Sequence, residues 1–189
     1  PYEFVEDIKE ILDDDGIWVL QLSYTPLMIK QLAFDNICHE HICYYSLSSM
    51  KYLMDRAGFD IVDCTLNDVN GGSFRVFLMK KDADKTKFRC KQERDVAEFR
   101  VNSLLEYEKT LKLNEPETYT NFFSEVCELK EKTVDFIKRE VAAGKRIWGY
   151  GASTKGNTLL QWYGLNSEYI EAIAERSIYK FGLQTIATN

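Results

Sequence analysis

Three times along this chain an amphipathic stretch stops at a glycine and a short apolar run begins. Residues 4–15 (FVEDIKEILDDD) stop at Gly16, and 17-IWVLQLSY-24 follows. Residues 49–58 (SMKYLMDRAG) end on Gly58, and 59-FDIVDCTL-66 follows. The long pattern over 118–143 stops at Gly144, and 145-KRIWGY-150 follows. Glycine readily takes the left-handed conformation that ends a helix. The aromatic and β-branched residues after it suit a pleated, buried surface. Helix, glycine, strand is the step from which α/β folds are assembled, so the chain is expected to be α/β. The first of these steps reads as an αβ step of a parallel sheet.

The finer pattern fills in the frame. In the first helix Phe4, Ile8, Ile11 and Leu12 share one face. Residues 27–34 form a short helix in this reading. Ser46 or Ser48 caps the next helix, whose apolar side carries Met50, Leu53 and Met54. After 59–66 the turn 67-NDVNGGS-73 leads into 74-FRVFLMKK-81, an antiparallel pair expected at a sheet edge. Residues 82–95 are strongly charged and read as a linker. Helices are expected over about 93–111 and 118–143, with Pro116 between them. The second places Phe123, Val126, Val134, Ile137 and Val141 on one stripe, with Phe122 and Leu129 on its flank. Lys130 interrupts the stripe, and its aliphatic stem can lie over apolar neighbours. A strand near 145–150, a helix over about 156–163 and a strand over 169–176 make a second α/β unit.

Composition excludes several classes of function. A net charge of -6 leaves no excess of Lys and Arg for a broad nucleic-acid face. No apolar run reaches the roughly 20 residues of a membrane span, and no signal peptide is visible. The five cysteines (Cys38, Cys43, Cys64, Cys90, Cys127) include no CxxC pair, so free thiols in a reducing cytoplasm are expected. The chain begins at Pro1 within a helical pattern and stops at Ile186-Ala187-Thr188-Asn189, soon after a strand-like segment. A piece of a longer protein is the expectation.

Three segments carry chemistry. Both histidines lie in 36-NICHEHICYYSL-47, as His39 and His41 around Glu40. A metal reading needs further ligands, for which Cys38 and Cys43 are near, but HExxH is absent and i, i+2 histidines cannot share a helical face. A plain reading makes them polar residues of a surface loop. An acid–base reading uses an imidazole that titrates near neutral pH with a carboxylate beside it. The segment follows the C-terminal end of a strand, where open α/β sheets place ligands. Tyr44 and Tyr45 beside it could hydrogen-bond a polar substrate. The second segment, 70-NGGSFR-75, is a turn whose Gly71 and Gly72 permit close backbone approach. Asn70, Ser73 and Arg75 there offer polar contacts, and a plain glycine hairpin accounts for it equally. The third is 149-GYGASTKG-156, a strand–loop–helix junction with Gly149, Gly151 and Gly156. Its backbone N–H groups can hold a phosphate, helped by Ser153, Thr154 and Lys155. The spacing is neither G-x-G-x-x-G nor a P-loop, and a tight packing turn is the competing reading.

Taken together, 38-CHEHICYYSL-47, 70-NGGSFRVFL-78 and 149-GYGASTKGNTLLQ-161 resemble the signature segments of the sugar C-methyltransferases, across nearly the whole chain. The resemblance implies transfer of a methyl group from S-adenosylmethionine to carbon 3 of a nucleotide-linked 4-keto-deoxysugar. It implies the last part of a class I methyltransferase core at 1–82, then a helical connector and a Rossmann-like C-terminal domain within 83–189. The family's zinc-binding segment and Gly-rich cofactor loop have no counterpart in these residues, so S-adenosylmethionine is expected to bind largely outside them, and zinc wholly so. The isolated piece is then expected to be inactive. The resemblance makes His41 the base that removes the proton beside the ketone, with Glu40 as its partner. A tyrosine often precedes the first histidine in the family, where this chain has Cys38. Tyr44, Asn70, Ser73, Gly149, Gly151, Ser153 and Lys155 become expected contacts of the sugar nucleotide. Two other readings stay open: a non-catalytic sugar-nucleotide-binding module and a metal-dependent hydrolase built on His-Glu-His.

Overall fold

A computed structural model describes residues 1–188, without the side chain of Asn70. The chain forms two compact units: Pro1–Ala33 with Cys43–Thr118, and Phe34–Ile42 with Tyr119–Asn189. It is mixed α/β, and no described helix is long and apolar enough to cross a membrane.

In the first unit α1 (Tyr2–Ile11) precedes β1 (Trp18–Ser23), α2 (Thr25–Lys30), α3 (Leu47–Ala57), β2 (Phe59–Asn67) and β3 (Ser73–Lys80). The sheet order is β1-β3-β2, and both neighbouring pairs are antiparallel. The pairing of β2 with β3 agrees with the sequence. The parallel step expected at β1 differs, because β3 folds back into the centre and separates β1 from β2. The hairpin stands at the edge of this sheet as expected, with β2 its end strand. Of the face expected on α1, Phe4 and Ile11 lie exposed, and Val5 is the residue that is buried. Ile8 and Leu12 of the same face are half-buried, Leu12 against the core. α3 follows its pattern closely. Ser46 caps it by accepting from Ser49 N, and Gly58 closes it at φ 83. Met50 and Met54 enter a core shared with Tyr24, Phe59, Phe74, Val76 and Leu78.

The charged stretch after β3 is shorter than a linker reading implies. α4 (Lys91–Thr110) begins within it and lies along β2 as part of the first unit. What holds it there is Asp63, fully buried where a bulge shifts the register of β2 between Ile61 and Asp63. Arg89 Nη1 donates to Asp63 Oδ2 at 2.6 Å, Arg100 Nη2 to the same oxygen at 2.7 Å, and Arg100 Nε to Oδ1 at 2.9 Å. α4 therefore belongs to the compact unit that runs on to Thr118.

The second unit contains most of α5 (Pro116–Ala142), then β4 (Trp148–Tyr150), α6 (Thr154–Tyr163) and β5 (Ala172–Ala174). β4 and β5 pair in parallel, so β4-α6-β5 is one crossover unit. Both strands are shorter than the sequence pattern implied. On α5 the expected stripe holds at Val126, which is buried, and at Val134, Ile137 and Val141, which are half-buried, while Phe123 is exposed and Phe122 from the flank is buried in its place. Lys130 sits with its ammonium 4.6 Å from the centre of the Trp162 ring, a cation–π contact.

Candidate functional site

Two of the three sequence segments meet at the C-terminal end of β1. Tyr24 N donates to Gly72 O at 3.1 Å, and Thr25 N donates to Tyr45 O at 3.0 Å. The glycine is needed for this approach: Gly72 has φ 115, and a Cβ there would lie 2.8 Å from Leu27 Cβ. Ser73 is buried, and its Oγ donates to Val69 O at 2.7 Å, so its hydroxyl is used inside the turn. Arg75 is exposed on β3 and donates to Gln21 Oε1 at 3.0 Å. The side chain of Asn70 lies outside the described residues. Tyr44 is exposed, between these anchored positions and the histidine segment.

In the second unit, the histidine segment meets the third sequence segment. Residues 34–36 form a 3-10 turn that packs on α6, with the Phe34 ring edge-on to Trp162 and Tyr163. Lys155 Nζ donates to Oδ1 of buried Asn36 at 2.6 Å, joining residues 119 apart in sequence. The segment then turns, with His41 N donating to Cys38 O at 3.0 Å. His39 stands in solvent with its side chain 83% exposed, 4.0 Å from Glu40 Oε1. Cys38 Sγ is 3.9 Å from Glu40 Oε2. His41 is half-buried, and its imidazole makes no hydrogen bond among the described residues. Glu40 thus faces His39 and Cys38 rather than His41. No group of three or more His, Cys, Asp or Glu is placed to hold a metal ion among the described residues. The donor set of the segment therefore does not fit zinc.

The glycine loop is built as a helix entry. Gly149 lies in β4, where a Cβ would meet Ile173 Cγ1 at 3.1 Å. Gly151 has φ 87, and its N donates to Ala174 O at 2.8 Å. Ser153 caps α6, its Oγ accepting from Gly156 N at 3.0 Å. The first-turn N–H groups of Thr154 and Lys155 have no intrahelical acceptor.

One residue that the motifs did not mark governs the charge of this loop. Glu175 follows β5 directly, and its carboxylate accepts from Ala152 N at 2.7 Å, Arg176 N at 2.8 Å and Ser177 N at 2.9 Å. The hydrogen bonds from Ser177 and Ala152, with the Lys180 charge and Arg176 behind them, hold its pKa down at about 2. An anion already occupies one backbone donor that a phosphate would take. The signal that could have found it is positional: an acidic residue at the end of the second strand of a βαβ unit with a glycine loop. Beside the loop lies a cavity of about 850 Å³, lined by Ala152, Asn157, Leu160, Ile173, Glu175 and Phe181 among others. That is within the size range of small-molecule sites.

Residues 68–189 match the model of the family described as C-methyltransferase C-terminal domain. Across 181 residues the chain is also similar to C-methyltransferase NovU of Streptomyces niveus, at 31% identity. The match covers 96% of this chain and 41% of that relative, so the chain spans well under half the relative's length.

Proposed function

The chain belongs to the C-methyltransferase C-terminal domain family, and on that premise we propose that it is part of an S-adenosylmethionine-dependent enzyme methylating a carbon of a nucleotide-linked keto-deoxysugar. The observation that carries this reading is the bond from Lys155 to Asn36, which ties the glycine loop to the histidine segment within one compact unit. Two segments with no sequence proximity are drawn together, as a site for one substrate requires. The convergence of Gly72 and Tyr45 on the end of β1 supports it from the first unit.

In the proposed mechanism the imidazole of His41 removes the proton from the carbon beside the ketone. The electron pair of that C–H bond moves into the carbonyl and leaves an enolate. S-adenosylmethionine, when bound, would supply the electrophilic methyl group for that carbon, its sulfonium S–C bond breaking with the electron pair left on the departing neutral thioether. No residue here is assigned to that donor, because the glycine loop at 149–156 is read as facing the nucleotide. His41 is suited to the role by its half-buried imidazole, which makes no hydrogen bond among the described residues. Glu40, exposed, acts by swinging from His39 to His41 when substrate is bound. Tyr44, Ser153 and Lys155 are the proposed contacts of the sugar nucleotide, with Gly149 and Gly151 shaping the loop. Asn70 and Ser73 shape the turn beside Tyr44.

The test is exchange of the acidic sugar proton in D2O, run on the whole proposed methyltransferase with a nucleoside diphosphate-linked 4-keto-6-deoxyhexose. His41→Ala is expected to slow exchange and methyl transfer by about a hundredfold or more, the scale of a lost general base. Cofactor binding should stay intact. Undiminished exchange in that variant removes His41 from the mechanism. Binding of the sugar nucleotide without any exchange in the unaltered protein favours the non-catalytic module instead, a reading to which the orientation of Glu40 toward His39 lends weight.

A further inference from the structure

We propose that Glu108, on α4, is a positioning residue for the substrate-contacting segment Tyr44–Tyr45. The inference rests on the reading that Tyr44 touches the sugar nucleotide. Glu108 lies within a run of charged residues, 106-EYEKT-110, where the sequence offers no sign that one of them points inward. It is nonetheless 4% exposed. Its Oε1 accepts from Tyr24 Oη at 2.7 Å and from Leu47 N at 2.5 Å, and its Oε2 accepts from Ser48 N at 2.8 Å.

Leu47 and Ser48 open α3, and their N–H groups would ordinarily turn to water. Here a carboxylate from 61 residues downstream takes both, at the end of the helix where the backbone dipole favours negative charge. Ser46 Oγ takes the next donor, Ser49 N, at 3.2 Å. The whole first turn is closed. The third donor, Tyr24, is fully buried at the end of β1 and forms a parallel bridge with Tyr45. Burial pushes its phenol well above the usual range, and the bond to Glu108 adds to the shift. The phenol therefore remains a donor.

The consequence is a clamp around a short piece of chain. Tyr45 is fastened on one side by Thr25 N and on the other by the closed start of α3. Tyr44 lies next to this anchor, so the position of its side chain depends on where Glu108 holds the two elements. Three converging donors require a group that only accepts. An amide at the same place would turn an N–H toward at least one of them, which is why the chemistry calls for Glu rather than Gln. A cap whose only task was to stabilise α3 would not need the Tyr24 bond, and that bond reaches the strand end where Tyr45 is paired.

Affinity of the chain for a nucleoside diphosphate-linked 4-keto-6-deoxyhexose, measured by titration calorimetry well below each variant's melting temperature, separates positioning from stability. Glu108→Gln is expected to weaken binding about tenfold at a temperature where the variant is folded. Tyr24→Phe, which removes one donor and keeps the ring, is expected to weaken it about threefold, and it decides the matter if Glu108→Gln does not fold. Tyr44→Ala is the control. If Tyr44→Ala weakens binding while folded Glu108→Gln and Tyr24→Phe leave it unchanged, the positioning inference fails and the reading of Tyr44 stands. If Tyr44→Ala changes nothing, or the unaltered chain does not take up the probe, the reading of Tyr44 fails and the inference falls with it.

Discussion

At the scale of single residues, the side chains that order the candidate site are carboxylates and an amide rather than the histidines that draw the eye. Glu175 gives the clearest case. Three backbone N–H groups converge on it and lower its pKa from 4.5 to about 2. A folded-state pKa below the unfolded one contributes stability that is fully present above pH 4.5 and is lost as pH falls through about 2. Acidification should therefore release Ala152 and loosen the glycine loop only as pH approaches about 2, after carboxylates without such donors have taken up their protons. An NMR titration of the Glu175 side chain should show a midpoint near 2, with exchange of the Ala152 amide rising in step. A midpoint near 4.5 would mean that the three hydrogen bonds are not held in solution. Gly72 makes a different kind of contribution, because its positive φ and the closeness of Leu27 exclude any side chain there.

Among the elements, α4 carries the most consequence for its length. It is polar over most of its surface and would be marginal alone, since a helix with little apolar stripe gains little from packing. Two anchors hold it: the arginines on Asp63 and the bond network of Glu108. The same burial that encloses Asp63 pushes the neighbouring Cys64 thiol up to about 12, which keeps it unreactive at neutral pH. Removing one member of a buried ion pair strands the others, at a cost of about 3–5 kcal/mol. Both arginines are partly exposed, so Asp63→Asn should fall at the low end, about 3 kcal/mol, in urea unfolding. A loss below about 0.5 kcal/mol, the scale of an ordinary surface substitution, would show that the arginines on Asp63 do not anchor α4.

For the molecule as a whole, the decisive contacts are those that join distant sequence. Lys155→Met keeps most of the aliphatic stem and cuts the bond to Asn36. Amide hydrogen exchange over residues 36–41 should then accelerate on the order of tenfold, the equivalent of one lost charge-assisted bond of about 1.5 kcal/mol. Unchanged exchange would mean that Phe34 and its aromatic neighbours on α6 suffice to seat the segment. The amino-acid sequence by itself determined the α/β class, the glycine stops at Gly58 and Gly144, a serine cap at Ser46 or Ser48 and the apolar face of α3. Those features depend on periodicity and on local backbone preference, which operate within a few residues. It also carried the family resemblance, because the three segments keep their residue types whatever surrounds them. Tertiary structure alone decided that β3 lies between β1 and β2, that Val5 rather than Ile11 faces the core, and that Glu40 turns toward His39. It alone placed Asp63, Glu108, Glu175 and Asn36 at the centre of their networks. A charged or polar residue reads as surface in a sequence, and only the donors that the fold brings to it, from as far as 119 residues away, make it a buried anchor.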